Sequence, residues 1–137
     1  MSPSEEKLTE NARRAEGALA QQHGDFLLFG LFQTEETAGK WDVVASAPWL
    51  MTARPGIQQI VDGLGNSLSA EDWLKIASIV PLNPDTSFVR TMTRLFQVEH
   101  GVQETGGFVS GDIHIHRAFI ITANKFTAQV QTHQAAA

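Results

Sequence analysis

Three side chains that can bind a metal ion alternate with isoleucine in the stretch GDIHIH, residues 111–116. Asp112, His114 and His116 lie two residues apart, so a regular β-strand would place all three on one face. Two imidazoles at this spacing can coordinate one Zn or Fe ion, but a catalytic site needs a third ligand and an open position for water. His100 is a candidate third ligand if its segment pairs with this strand. This arrangement predicts, as one alternative, a small metal-assisted enzyme.

The same alternation is typical of an ordinary strand with one exposed face. His-x-His is a non-specific motif, and a chain with five histidines often contains such a pair by chance. We therefore expect the face of Asp112, His114 and His116 to be polar and reachable, with no tightly bound metal and no cofactor.

A second group of candidates could bind a ligand rather than a metal. In residues 46–56, Trp49 offers a stacking surface and Arg54 a positive charge, and the next helix would begin beside them. The favoured alternative is that Trp49 closes the edge of the core, since tryptophan is usually largely buried. Arg90 and Arg94, one helical turn apart, could bind an anion, but pairing with acids or simple solvation is the more ordinary role.

The standard catalytic motifs are absent from the sequence. It has no G-x-S-x-G nucleophile elbow and neither of the common glycine-rich phosphate-binding loops. It has no cysteine, which rules out thiolate catalysis and cysteine-ligated metals. These observations favour a binding module over an enzyme.

Charge and hydropathy exclude further classes of partner. Fifteen acidic against ten basic residues give a formal charge of −5, which disfavours nucleic-acid binding. The longest apolar runs are far too short to span a bilayer, and the acidic N-terminus does not read as a signal peptide. We expect a soluble cytoplasmic protein that binds neither membranes nor nucleic acids.

The N-terminal segment predicts a helix over residues 3–22, ended by Gly24. Its apolar stripe is narrow and half alanine, consisting of Leu8, Ala12, Ala15 and Leu19. A stripe this thin buries little area, so the helix must pack on its own domain or on a partner subunit. We therefore expect self-association, most simply as a homodimer.

The centre of the chain predicts two strands and then helices. Residues 25–33 and 41–47 predict an antiparallel hairpin, with a bulge or a close backbone approach at Gly30. Helices are predicted over 55–66, from an N-cap at Ser69, and over 87–96. The stretch 78–82 can end a helix or form a short strand. The predicted core consists of Phe26, Leu28, Val43, Ile57, Ile60, Val61, Trp73, Met92, Leu95, Phe119 and Ile121.

The last third predicts strands once more. A strand is predicted to begin near residue 97, a turn at 103–107, and one bent strand or two over 108–123 with the bend at Gly111. Together the elements predict an α+β or mixed α/β fold, a single sheet of about four or five mostly antiparallel strands with helices packed on it. The expected organisation is an N-terminal helix over 1–24, which is a candidate assembly element, one domain over 25–127 and a frayed tail over 128–137.

Overall fold

A five-stranded sheet forms the centre of the computed structural model, which describes residues 2–52 and 56–124. The elements in chain order are α1 (Pro3–His23), β1 (Leu28–Thr34), β2 (Trp41–Ser46), α2 (Pro48–Thr52), α3 (Gly56–Gly65), α4 (Ala70–Trp73), β3 (Ile76–Pro81), α5 (Ser87–Leu95), β4 (Gln103–Ser110) and β5 (Ile113–Ala123). The strand order is β3-β2-β1-β5-β4, and every pair except β2–β3 is antiparallel. The predicted α+β fold with a mostly antiparallel sheet is confirmed.

Helix α1 begins and ends as its sequence predicts. Ser2 caps its first turn through a reciprocal capping box with Glu5, and the Gly24 amide donates to the carbonyl of Ala20 at its end. All four residues of the predicted stripe are buried, and they pack in one core with β1, β2 and β5. The helix therefore packs on its own chain. The predicted tail over 128–137 lies outside the described residues.

Arg117 of β5 anchors the first turn of α1. Its guanidinium donates two hydrogen bonds to the Glu5 carboxylate, at 2.7 and 3.0 Å, and one to Glu104 at 3.1 Å. The hydrogen bonds from Arg117 lower the pKa of Glu5 to about 2. This contact therefore stabilises the fold above the ordinary glutamate pKa, and the contribution is lost as the pH falls toward about 2.

The hairpin of β1 and β2 forms as predicted, and Gly30 lies at an irregularity in the pairing of β1 with β5. The pairing of β1 with β5 shifts register between Phe29 and Gly30. A Cβ atom on Gly30 would lie 2.9 Å from the carbonyl oxygen of Phe119, so no larger residue fits without movement. The predicted close backbone approach is confirmed.

The stretch 78–82, which the sequence predicts as the end of a helix or a short strand, contributes to strand β3. This strand pairs in parallel with β2. A parallel pair needs a crossover connection, and helices α2, α3 and α4 supply it. The predicted N-cap is confirmed, since Ser69 accepts a hydrogen bond from the Asp72 amide and the Asp72 carboxylate accepts one from the Ser69 amide.

Two predicted core positions are wrong. Ile57 is 44% exposed and Leu95 is 58% exposed. Ile57 is the second residue of α3 and Leu95 is the last of α5. At these helix ends fewer residues are buried against the core than the apolar stripe predicts. In α3, only Ile60 and Leu64 are fully buried.

The predicted turn at residues 103–107 is also wrong, because those residues lie in β4. The sequence before it, predicted to begin a strand, contributes only an isolated bridge between Val98 and Ala123. The reversal occurs instead at Gly111, whose φ of 62° lies in the left-handed region that favours glycine. The glycine pair at 106 and 107 resembles a turn locally but lies inside the strand.

Replacing Ile60 with alanine tests the position of α3. Ile60 is fully buried, so Ile60→Ala should lower the free energy of unfolding by about 2–5 kcal/mol. Ile57→Ala makes the same chemical change at an exposed site of the same helix and should cost less than about 1 kcal/mol. Urea denaturation of both variants measures the difference. Equal losses would contradict this placement of the helix.

Candidate functional site

The sequence predicts a regular alternation of the β5 side chains between the two faces of the sheet, and this prediction is wrong. Gln33 pairs with Arg117 but Thr34 pairs with Ile115, so at this point β5 carries an extra residue, His116, relative to β1. Gly107 lies opposite it on β4 with a φ of 70°.

The residues on either side of this bulge belong to different cores. Ile115 packs in the core on the α5 side, and Ile113 lines a hollow there. Phe119 and Ile121 pack on the α1 side. The alternation in the sequence predicts that Ile113, Ile115, Phe119 and Ile121 mostly share the face opposite Asp112, His114 and His116. This prediction is wrong, because the bulge interrupts the alternation.

Asp112 and His114 lie at the tip of the β4–β5 hairpin. Asp112 belongs to the turn rather than to β5, and with His114, Glu35 and Glu36 it lines a small hollow of about 70 Å³. His116 is exposed and does not line that hollow. The structure therefore brings together two of the three side chains of the predicted cluster.

His100 lies at the opposite end of β5. Its backbone amide donates to the hydroxyl of Thr122 at 3.1 Å. Thr122 is eight residues from His114, which on a strand corresponds to about 25 Å. His100 therefore cannot complete a metal site with His114 and His116. Across residues 2–52 and 56–124, no three His, Asp or Glu side chains are grouped closely enough to hold a metal ion.

His100 instead forms a hydrogen-bond network with Glu16 of α1, in which the Glu16 carboxylate is buried and the His100 side chain is half exposed. The Glu16 carboxylate is fully buried and accepts hydrogen bonds from the Thr122 hydroxyl at 2.9 Å and from the His100 Nδ1 at 2.8 Å. The bond to Glu16 raises the pKa of His100, which favours the imidazolium form. The sequence did not identify Glu16, since a glutamate in the middle of a helix carries no signal of burial.

This network ties α1 to β5 and to the segment of His100. The groove beside His100 includes Arg13 and Arg14, but Arg13 is engaged bidentately by Glu10 and Arg14 also lies near that carboxylate. A catalytic triad consists of a carboxylate, the histidine that it orients and a nucleophile. None of the groove residues that the structure describes supplies a hydroxyl or thiol nucleophile.

Trp49 closes the edge of the core, as the favoured alternative expects. Its indole N–H donates to the Gly24 carbonyl at 2.8 Å, and its ring stacks on His23 at 4.7 Å and meets the edge of Phe26 at 5.3 Å. The sequence predicts a loop between the end of β2 and the next helix, but part of this segment forms the short helix α2. Arg54, the predicted cationic neighbour, lies outside the described residues.

Arg90 and Arg94 lie on the exposed side of α5. Arg90 forms a 3.6 Å ion pair with Asp85 in which both side chains are largely exposed. Such a pair contributes little. The two arginines therefore behave as solvated surface charges. They line neither the hollow at the hairpin tip nor the groove beside His100.

A mostly apolar hollow, which we call the α5 hollow, lies between α5 and the sheet. It has a volume of about 240 Å³. Its apolar walls are Phe32, Val44, Val80, Leu82, Phe88, Ile113 and Ile115. Sequence reasoning missed this hollow because its walls come from β1, β2, β3, α5 and β5, and no local pattern connects them.

The polar side chains of the α5 hollow are few. Thr34, Thr86 and Ser87 contribute hydroxyl groups, and Asp42 of β2 contributes a carboxylate that accepts a hydrogen bond from the Ser78 hydroxyl at 2.6 Å. A concave apolar surface with a small number of placed polar groups is the usual composition of a small-molecule site.

Comparisons with known protein families, with curated protein sequences and with solved structures find no match to this chain. Within the part of the chain that the structure describes, no helix is both long and apolar enough to cross a membrane. The geometry of the chain's own residues is therefore the basis for any functional conclusion.

The Glu16–His100 contact predicts a pH-dependent stability. Because the pKa of His100 is raised on folding, its contribution is complete below the unfolded histidine pKa and is lost as the pH rises through the folded value. His100→Ala should therefore lower the free energy of unfolding more at about pH 5.5 than at about pH 9. Denaturant titrations at both pH values measure this, with His116→Ala as the exposed control. An equal loss at both pH values would refute the charged contact.

Proposed function

We propose that this protein is a non-enzymatic binding module that holds a small, mostly apolar ligand in the α5 hollow. The observation that carries the proposal is the hollow itself, with apolar walls from five elements and a few polar groups. Its volume of about 240 Å³ lies just below the range of ~300–1,000 Å³ usual for ligand pockets, which favours a small ligand.

A binding role accounts for the described residues better than the metal-assisted enzyme does. His100 is held by Glu16 at one end of β5, whereas His114 and Asp112 lie at the other end. Catalysis requires its groups within about 3 Å of a common reacting atom. The acidic net charge disfavours nucleic acid as the ligand, and the lack of cysteine suits the cytoplasm as the proposed location.

Filling the α5 hollow should abolish ligand binding. We expect a neutral apolar fluorophore, N-phenyl-1-naphthylamine, to bind the wild-type protein, and Val80→Trp to weaken binding at least about tenfold by occupying the hollow. Leu74→Trp places the same side chain on an exposed position outside the hollow and outside the strands, and it should bind like wild type. Fluorescence titration measures both, and circular dichroism checks the fold. Equal binding by Val80→Trp, or no binding by wild type, would reject the proposal.

The same module is proposed to form a homodimer, and the edge strand β4 supports this. Within the described residues β4 pairs only with β5, so one edge of its backbone lacks a partner strand. Edge strands are commonly protected by lysine or proline, and β4 contains neither. It also carries an exposed apolar residue, Val109. The other edge strand, β3, is shorter and ends in Pro81.

A charge on β4 should prevent this association. We expect Val109→Lys to shift the protein from dimer to monomer at about micromolar concentration, because a charged side chain at the edge opposes strand pairing. Leu74→Lys places the same charge on an exposed leucine outside the strands and should leave the dimer intact. Light scattering gives the molar masses. A monomeric wild-type protein at high concentration would refute the dimer.

A further inference from the structure

One end of the α5 hollow is acidic. Asp42 lies on the wall of the hollow beside Val44. The Asp42 carboxylate accepts a hydrogen bond from the neutral Ser78 hydroxyl. The α5 hollow and the smaller hollow at the hairpin tip have Thr34 and Ile113 in common, so the two adjoin.

The adjoining hollow adds three carboxyl side chains, those of Glu35, Glu36 and Asp112. No lysine or arginine is among the described residues that line either hollow, and His114 is the one basic side chain there. The two hollows therefore place an apolar surface next to a concentration of negative charge.

This combination selects for a ligand of one sign. A concave site lined by one sign of charge and walled by apolar groups concentrates ions of the opposite sign. An anion brought to the α5 hollow would lie beside Asp42 without a cation to offset it. A neutral apolar molecule would use the walls but would leave the carboxylates solvated and unused.

We propose that the ligand of the α5 hollow is an amphipathic cation, a small apolar body bearing a primary amine. The apolar body packs between Phe32, Val44 and Phe88, and the ammonium group donates a charge-assisted hydrogen bond to Asp42. Glu35 and Asp112 attract the same charge from the adjoining hollow. This inference rests on the proposed function, because it assigns the ligand class of that same site.

Three compounds with one apolar body separate charge from apolar contact: 3-phenylpropylamine, 3-phenylpropanol and 3-phenylpropanoate. Isothermal titration calorimetry with the wild-type protein should show the amine binding at least about tenfold more tightly than the alcohol. The carboxylate should bind most weakly. Added salt should reduce the advantage of the amine and leave the affinity of the alcohol unchanged.

Asp42→Asn tests the contact itself, because asparagine keeps the size and an acceptor for Ser78 but removes the charge. The variant should lose most of the preference for the amine and keep its affinity for the alcohol. Asp25→Asn removes an equal charge from an exposed position outside both hollows and should retain the preference.

The outcomes distinguish this inference from the proposed function. If the alcohol and N-phenyl-1-naphthylamine bind but the amine binds no more tightly, the cation is refuted and the apolar site stands. An Asp42→Asn variant that keeps the full preference for the amine would also refute the cation contact. If none of the compounds binds the wild-type protein, the proposed function itself fails.

Discussion

Helix α1 is fixed to the sheet by buried and half-buried charged side chains, and the rest of the structure depends on this attachment. Its apolar stripe is half alanine, which buries little area per residue. Arg117 holds the first turn through Glu5, and Thr122 and His100 hold the middle of the helix through Glu16. Removing one partner of a buried polar contact costs more than the contact contributes, so these contacts fix one position of the helix. The sequence shows the weak stripe, which suggested a partner subunit, but not the polar contacts that compensate for it.

The attachment of α1 also explains why the α5 side of the sheet keeps a hollow. Helices α1 and α3 fill one face with a continuous core, whereas among the described residues the nine-residue α5 is the helix that packs on the other face. The bulge at His116 then turns the hairpin tip so that Ile113 and Ile115 reach toward α5. A regular β5 would have sent those two isoleucines to the same face as Phe119. The hollow therefore arises from an irregular strand and a short helix acting together.

The features that the sequence predicted correctly are those set by neighbouring residues. The N-cap at Ser69, the end of α1 at Gly24 and the hairpin of β1 and β2 each depend on a few adjacent positions. The features it could not predict depend on contacts between distant segments. Parallel pairing of β3 requires the crossover helices to return the chain, and the burial of Glu16 requires Thr122 to lie beneath it. A glycine pair that resembles a turn, as at Gly107, becomes part of a strand when its neighbour on β5 is bulged.

The candidate sites also divide into those that the sequence predicts and those that it does not, and the reason is chemical. Histidine and aspartate at a spacing of two are conspicuous in a sequence because each can bind a metal alone, so the pattern at Asp112 and His114 stands out whatever the fold does. The α5 hollow has no such pattern, because valine, leucine and phenylalanine are the ordinary residues of any core. Asp42 becomes informative only when its apolar neighbours are known, since a carboxylate on a strand surface is otherwise a solvated charge. A site defined by the shape of an apolar hollow must therefore be found from the structure. A metal site is defined by the chemistry of its coordinating side chains, so it is found, and often overestimated, from the sequence.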